Sequence, residues 1–199
     1  MSINHGTDSG IPSVGRISWG SHFCHFYSRK EDLVHALVPY FKAGLINNER
    51  CVWITADPFG SAEAREELLR ILPDLEEFLR TQQIVFYDSE EGYRSADAAE
   101  RTDRLMREEK RAIDAGYAGL RVTGNASFLK REQWPSFLEY ERTINRLIRT
   151  RRIIALCSYS LNNCSASDVF DVVRTHHFTV DRIGDSWEVI ETEQRPFRD

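Results

Sequence analysis

Residues 153–159 read IIALCSY, and this stretch is apolar on both of the faces that an extended strand presents. A strand with one face in water alternates apolar and polar residues, whereas a strand covered on both faces shows a near-continuous apolar run. Strands of the second kind belong to parallel sheets that have helices packed on both sides. IIALCSY therefore predicts a central strand of an α/β domain.

Shorter apolar runs alternate with helical patterns along the rest of the chain. Strands are predicted at 22–27, 51–55, 84–87, 120–123 and 153–159, and helices at 29–45, 61–72, 74–80, 97–115, 135–150 and 167–175. Strands that alternate with helices form a mostly parallel sheet with a helix layer on each face. Two short strands at 178–181 and 187–190 flank a turn at Gly184-Asp185, so we expect an antiparallel hairpin at the C-terminal edge.

The predicted domain occupies residues 19–191. Residues 1–18 are rich in Gly, Ser and Asp and show no apolar period, which predicts a flexible N-terminal tail. Residues 192–199 are predicted to form a short C-terminal tail. Because no linker or internal repeat interrupts the pattern between the two tails, we expect one domain.

Composition places the chain among globular proteins with one buried core. The 199 residues are 41% hydrophobic and 29% charged, and no apolar run approaches the roughly 18–20 residues of a membrane-spanning helix. The polar start MSINH does not resemble a signal peptide, so we expect a cytoplasmic protein without membrane contact. A net charge of −5 gives no electrostatic basis for direct binding of nucleic acid.

The loop after the first predicted strand is where an α/β sheet binds ligands. It reads YSRKE at residues 27–31 and lacks the GxxxxGK[ST] pattern, whose glycines let backbone amides reach phosphates. Ser28 and Glu31 have instead the spacing of a capping box, in which each side chain bonds the backbone amide of the other residue. The sequence therefore predicts that ATP is not a cofactor and that the protein is not an enzyme.

Histidine, cysteine and aromatic residues share one face of two predicted strands. His22, Cys24 and Phe26 alternate along the first strand, and Cys157 and Tyr159 alternate along IIALCSY. His22 and Cys24, two residues apart, are sterically able to hold one metal ion. A buried thiol that packs as a small hydrophobe beside a hydrogen-bonded histidine explains the same pattern, and both interpretations stay open.

Three further positions carry possible binding chemistry. Cys164 lies just before SASD at 165–168, a second capping box, and a thiol near a helix N-terminus has a lowered pKa, so Cys164 is the candidate reactive cysteine. His177 lies where the last helix meets a strand and is a candidate ligand residue. TGN at 123–125 offers a hydroxyl and an amide at a strand end, which suits either a polar ligand or a tight turn.

Several strings taken together are specific: SHFCHFYSRKEDL at 21–33, LVPYFKAGL at 37–45, GLRVTGNASFL at 119–129, FLEYE at 137–141 and ALCSYSLNNCSASDVFDVVRTHHF at 155–178. On these strings the chain resembles the MEDS domain, the sensory domain of methanogen and methylotroph regulators of the dichloromethane-responsive repressor type. The resemblance runs from about residue 19 to residue 191. It implies a three-layer αβα fold related to RecA and KaiC, with a degraded nucleotide site, and a role in sensing small molecules such as simple hydrocarbon derivatives.

The resemblance also implies where such a molecule binds. The motif positions of the family fall here on His22, Cys24, Phe26, Tyr27, Cys157, Tyr159, Cys164 and His177. A RecA-like strand order places the first strand beside IIALCSY, which implies one pocket at the carboxyl ends of the strands. Aromatic side chains would supply apolar contact there, and Thr123 and Asn125 would orient the ligand.

Other functions follow from the same residues. If the side chains of His22, Cys24, Cys157 and Cys164 converge, they could bind zinc or another metal that prefers soft ligands, or report redox state through thiol oxidation. A residual nucleotide-binding enzyme and an interaction module without a ligand are further alternatives. Only eight residues follow Glu191, so we expect output through a separate signalling protein, a histidine kinase or transcription regulator, or through a homodimer.

Overall fold

The computed structural model describes residues 6–88, 97–127, 129–184 and 186–191. The strands are β1 (Thr7–Asp8), β2 (Arg16–Ile17), β3 (His22–Tyr27), β4 (Arg50–Thr55), β5 (Ile84–Asp88), β6 (Leu120–Asn125), β7 (Ile153–Ser160), β8 (Phe178–Ile183) and β9 (Ser186–Glu191). The α-helices are α1 (Lys30–Ile46), α2 (Ser61–Ile71), α3 (Leu75–Arg80), α4 (Ala98–Asp114), α5 (Trp134–Leu147) and α6 (Ala166–Thr175). Short 3₁₀ turns at Arg131–Gln133 and Ile148–Thr150 flank α5.

One seven-stranded sheet forms the centre of the molecule, in the order β5-β4-β6-β7-β3-β8-β9. All neighbouring strands pair in parallel except β8 and β9, which form the predicted antiparallel hairpin at the edge. All eight residues of β7 are buried, which confirms that IIALCSY lies inside the sheet. Of the predicted hairpin turn, Asp185 lies outside the described residues.

Helices cover both faces of the sheet, so the predicted α/β architecture is confirmed. Apolar side chains of α1, α2 and α3 pack into one core, and those of α4, α5 and α6 pack into a second core on the opposite face. In the first core Trp53 of β4 stacks on Phe41 of α1, with ring centroids 4.4 Å apart. Among the described residues, no helix combines the length and the apolarity needed to cross a bilayer.

The segment before β3 packs against the domain. Strand β1 pairs antiparallel with β2, and Ile11 between them is 1% exposed. The guanidinium of Arg121 in β6 donates hydrogen bonds to the carbonyl oxygens of Asp8 and Ser9. The predicted flexible tail over 1–18 is therefore wrong for residues 6–18. These residues have no apolar period in the sequence, but the contacts of Ile11 and Arg121 hold them against the domain. Residues 1–5 and the predicted tail at 192–199 lie outside the described residues.

The first turn of α1 is capped by a different residue from the one predicted. The helix begins at Lys30, so its third residue is Asp32 rather than Glu31. The Asp32 carboxylate accepts hydrogen bonds from the backbone amides of Ser28 and Arg29, at 3.1 and 2.9 Å. The second predicted capping box is confirmed at the start of α6, where Ser165 and Asp168 bond each other's amides.

Candidate functional site

Four polar side chains meet in the core between the sheet and helices α4 to α6. His22 opens β3, Cys157 lies within β7, Glu141 lies in α5 and His176 directly follows α6. Their exposed fractions are 9% or less. Glu141 reaches this core because it shares a helix face with Phe137 and Ile144, which are four residues before it and three after it. We call His22, Glu141, Cys157 and His176 the buried cluster.

The Glu141 carboxylate lies between the other three side chains. Its Oε2 atom is 3.2 Å from His22 Nε2, 3.4 Å from His176 Nε2 and 3.9 Å from Cys157 Sγ. His22 Nε2 also lies 3.4 Å from Cys157 Sγ. The four donor atoms all lie within 4.8 Å of one another, so they enclose a common point.

The position of the His176 proton follows from its contact with the backbone. Nδ1 lies 2.8 Å from the carbonyl oxygen of Val172, which only accepts, so Nδ1 donates this hydrogen bond. In a neutral ring Nε2 then carries a lone pair, and this lone pair is directed at the Glu141 carboxylate, itself an acceptor when ionised. Among the described residues, Nε2 of His176 has no hydrogen-bond partner.

Burial determines the protonation preferences in the buried cluster. Desolvation lowers the pKa of His22 to about 4 and the pKa of His176 to about 3, so both imidazoles are neutral near pH 7. Burial also raises the pKa of Glu141, and burial together with the nearby Glu141 charge raises the pKa of Cys157 well above its usual range. By themselves, these surroundings thus disfavour every charged form in the cluster.

A cavity of about 40 Å³ adjoins the buried cluster. His22, Glu141 and Cys157 form part of its wall. Most of the other lining side chains are apolar; the full remainder is Leu105, Val122, Thr123, Gly124, Asn125, Ala126, Phe137, Tyr140, Ile144, Ala155 and Tyr159. An apolar cavity with a few convergent polar atoms has the composition of a small-molecule site.

A second, open cleft of about 560 Å³ lies at the carboxyl ends of the strands. It is polar and is lined by Tyr27, Ser28, Ala56, Asp57, Pro58, Gly60, Asp88, Ser127, Ser160, Asn162 and Asn163. At its α1 side, Asp32 already occupies the amides of Ser28 and Arg29, and Lys30 Nζ lies 2.7 Å from Glu63 Oε1. The groups that would contact a phosphate in a P-loop protein are therefore engaged within the chain.

A known protein family matches most of the chain. The family model of MEDS, described as the methanogen/methylotroph, DcmR sensory domain, matches residues 21–177. The chain belongs to the MEDS family. The match spans all four residues of the buried cluster and every residue that lines the cavity.

Among solved structures, this MEDS domain is similar to a KaiC-like protein from the hyperthermophilic archaeon Pyrococcus horikoshii. The two share 13% sequence identity with a TM-score of 0.61, over 93% of this chain and 85% of that chain. The likeness confirms the RecA/KaiC-like fold of the MEDS domain. No curated protein matches the chain.

The structure separates the predicted ligand-binding residues into several places. His22, Thr123, Asn125, Cys157 and Tyr159 line the cavity beside the buried cluster. Tyr27 lines the open cleft, and Cys164 lines a third recess of about 100 Å³. Cys24, Phe26 and His177 line none of these three spaces. The residues expected to form a single pocket at the strand ends are therefore distributed among several places in the structure.

Polar atoms expected to orient a ligand are engaged with the backbone. Thr123 Oγ1 accepts a hydrogen bond from the Ile54 amide at 3.1 Å, and Asn125 Oδ1 accepts one from the Ser127 amide at 2.9 Å. His177 Nδ1 accepts a hydrogen bond from the His22 amide at 3.1 Å. These contacts tie neighbouring elements together at the edge of the site.

Two members of the predicted metal set lie apart from the buried cluster. Cys24 and Cys157 are register partners on neighbouring strands, as the RecA-like strand order implies. The Cys24 thiol, however, lies 3.3 Å from the hydroxyl of Thr179 on the other side of β3. Cys164 lies in the loop beyond β7. Glu141 and His176 take their places in the buried cluster.

The prediction of a reactive Cys164 is also corrected by its surroundings. Burial raises the pKa of this half-buried thiol, and the nearby Asp168 carboxylate raises it further. Asp168 caps α6 and accepts from the Ser165 amide, so an anion already lies at the helix N-terminus. A second anion is disfavoured there, which keeps the thiol protonated.

Burial of His25 makes the stability of the folded MEDS domain depend on pH. It lies on the other face of β3, and its Nε2 atom is 2.8 Å from Ser158 Oγ. Burial lowers its pKa from 6.5 to about 4, although the nearby Asp32 charge raises it in part. The unfolded chain therefore binds a proton more readily below pH 6.5, and stability present above that pH is lost as the pH falls towards 4. The loss amounts to at most about 1.4 kcal/mol per pH unit for this one group.

Urea denaturation at pH 7, 6 and 5 measures this effect. A His25→Gln variant removes the titrating group, so its free energy of unfolding is expected to fall less steeply between pH 6.5 and 4 than that of the unaltered chain. The other histidines titrate equally in both proteins and cancel in the comparison. Identical slopes for the two proteins would show that His25 does not contribute.

Proposed function

We propose that this MEDS domain is a non-catalytic sensory module that binds a small organic molecule in the cavity beside the buried cluster. The observation that carries the proposal is the composition of the cavity wall. Apolar side chains from the sheet and from α4 and α5 surround it, and His22, Glu141 and Cys157 place polar atoms at one side. This arrangement combines apolar contact with a few orienting groups.

The volume of the cavity limits the ligand to a very small molecule. An engineered apolar cavity of about 150 Å³ holds benzene, and a cavity needs about 10–15 Å³ to hold one water molecule. A cavity of about 40 Å³ is therefore suited to a molecule of a few non-hydrogen atoms. One-carbon and two-carbon alcohols and halides have this size and match the mixed polarity of the wall.

Saturable stabilisation by such molecules is the expected result. Dichloromethane, methanol and ethanol serve as probes in sealed thermal denaturation experiments. A ligand at 100 times its Kd adds about 2.7 kcal/mol to the stability of the folded state, which corresponds to a rise in Tm of about 5–10 °C for a domain of this size. A co-solvent effect without a binding site would lower Tm in proportion to concentration and would not saturate.

Two matched variants locate the effect in the cavity. Val52 and Val122 are buried register partners on β4 and β6, and only Val122 lines the cavity. Val122→Ile extends a methyl group into a space of about 40 Å³, so it is expected to abolish the stabilisation by the probe. Val52→Ile adds the same group elsewhere and is expected to leave it intact. Equal responses in both variants would overturn the assignment of the ligand to this cavity.

Helix α6 offers a route from the cavity to a partner protein. His176, at its C-terminal end, belongs to the buried cluster, and Val172 packs in the core beside it. Phe170 of the same helix is 63% exposed. A change of packing at the buried cluster would shift α6 and thereby its outer surface. We propose that a separate signalling protein, a histidine kinase or a transcription regulator, responds to this shift.

The engaged state of the loop before α1 supports a function without ATP. Asp32 places a negative charge at the N-terminus of α1, where a bound phosphate would need positive potential. The positive charge of Lys30 is paired with the Glu63 carboxylate. Addition of ATP and magnesium is therefore expected to leave Tm unchanged, and a saturable rise would favour a nucleotide-binding enzyme instead.

A further inference from the structure

Two nitrogens, one oxygen and one sulfur face a common point in the buried cluster. A tetrahedral zinc ion has bonds of about 2.0–2.1 Å to nitrogen or oxygen and about 2.3 Å to sulfur, which separates its ligand atoms by about 3.3–3.6 Å. Four of the six separations among the ligand atoms are 3.2, 3.4, 3.4 and 3.9 Å, within about 0.3 Å of those edges. All six are no longer than 4.8 Å. We propose that His22, Glu141, Cys157 and His176 bind one zinc ion.

The orientation of His176 is the one that metal-binding histidines adopt. Such histidines donate the proton of one ring nitrogen to a carbonyl or carboxylate, which fixes the lone pair of the other nitrogen towards the metal. His176 donates from Nδ1 to the Val172 carbonyl at 2.8 Å, and its buried Nε2 points into the cluster without a hydrogen-bond partner among the described residues. A cation between Nε2 and Glu141 Oε2 would bond both lone pairs at once.

Charge balance favours a divalent ion at this position. On binding, the Cys157 thiol loses its proton to solvent and the sulfur donates an electron pair to the metal. Two neutral imidazoles, one thiolate and one carboxylate then surround a charge of +2, so the buried centre is neutral. Without a cation, an ionised Glu141 would face the lone pair of His176 with no compensating charge between them.

Four protein ligands close the coordination sphere, which is the arrangement of structural zinc sites. The ligands come from β3, α5, β7 and the end of α6, and they are distant in sequence. Binding would therefore hold these four elements together and couple metal affinity to folding. The inference goes beyond the proposed sensing of a small molecule, because the four side chains can bind zinc whether or not the adjoining cavity holds an organic molecule.

Metal analysis of the full chain tests the proposal. The chain is purified without chelators, and zinc is measured per mole of protein, with one equivalent expected. After removal of zinc, cobalt is added and followed by visible absorption, because tetrahedral cobalt bound to a thiolate absorbs strongly and shows sulfur-to-metal charge transfer. If the metal-free chain unfolds and refolds when zinc is returned, that result also supports the site.

Matched cysteine variants identify the ligands. Loss of a hydrogen-bond partner of a metal ligand lowers metal affinity by about 10–100-fold. Cys157→Ser and His176→Gln remove a ligand itself, so they are expected to lower the affinity for cobalt by at least about 100-fold, and Cys157→Ser also removes the charge-transfer band. Cys24→Ser and Cys164→Ser make the same chemical change outside the buried cluster and are expected to retain one metal. Circular dichroism confirms that each variant is folded. A folded, metal-free chain that takes up neither zinc nor cobalt, or a Cys157→Ser variant that keeps its affinity, would overturn the proposal.

Discussion

Replacement of Arg121 by methionine is expected to lower the free energy of unfolding by about 3–5 kcal/mol, the usual cost of removing one partner from a buried ion pair. The side chains of Arg121 and Glu49 are both fully buried, and Nε of Arg121 lies 2.5 Å from Glu49 Oε2. The guanidinium also donates to the carbonyl oxygens of Asp8, Ser9 and Tyr40. Methionine preserves much of the volume but leaves the Glu49 carboxylate buried without its cation.

Urea denaturation of two arginine variants isolates the effect of burial. Arg70 is exposed and pairs with Glu67 on the surface of α2, so Arg70→Met is expected to change stability by less than about 0.5 kcal/mol. An Arg121→Met, Glu49→Gln double variant removes both charges and is expected to recover part of the loss. Equal losses for Arg121→Met and Arg70→Met would contradict the role assigned to the buried pair.

The sequence predicts Arg121 as part of a strand but not as the centre of an ion pair. Strand β6 follows from the apolar residues around it, because alternation is a local property. Glu49 is 72 residues away in the chain, and its approach to Arg121 depends on how β4 and β6 pair. Contacts of this kind become visible only when the strand order is known.

The candidate site likewise contains residues that the sequence predicts and residues that depend on the tertiary structure. His22 and Cys157 are predictable because both lie on the same face of adjacent parallel strands, and the strand order implied by the family brings those strands together. Glu141 carries one usable indication, an acidic residue in the apolar stripe of α5 between Phe137 and Ile144. His176 is distinguished from His177 only by the backbone at the end of α6, which turns the first ring inward.

Gly10→Ala is expected to destabilise the fold by about 3 kcal/mol, which tests whether residues 6–18 pack against the domain. Gly10 has φ of +80°, and a Cβ atom there would overlap the carbonyl group of Pro39 in α1. A left-handed backbone costs a non-glycine residue about 1–2 kcal/mol, and overpacking of this severity costs about 1–3 kcal/mol in addition. The segment would have to move away from α1, which exposes Ile11 and removes acceptors from Arg121.

Gly15→Ala is the matched control, because Gly15 has φ of +60° but a methyl group added there would meet no atom within 4 Å. Its expected cost is the backbone contribution alone, about 1–2 kcal/mol. Urea denaturation gives the two losses, and limited proteolysis followed by mass spectrometry reports cleavage within residues 6–18. Faster cleavage in Gly10→Ala than in Gly15→Ala is expected, since only the first substitution displaces the segment from α1. Equal stability and equal cleavage in the two variants would mean that the contact with Pro39 does not hold the segment in place.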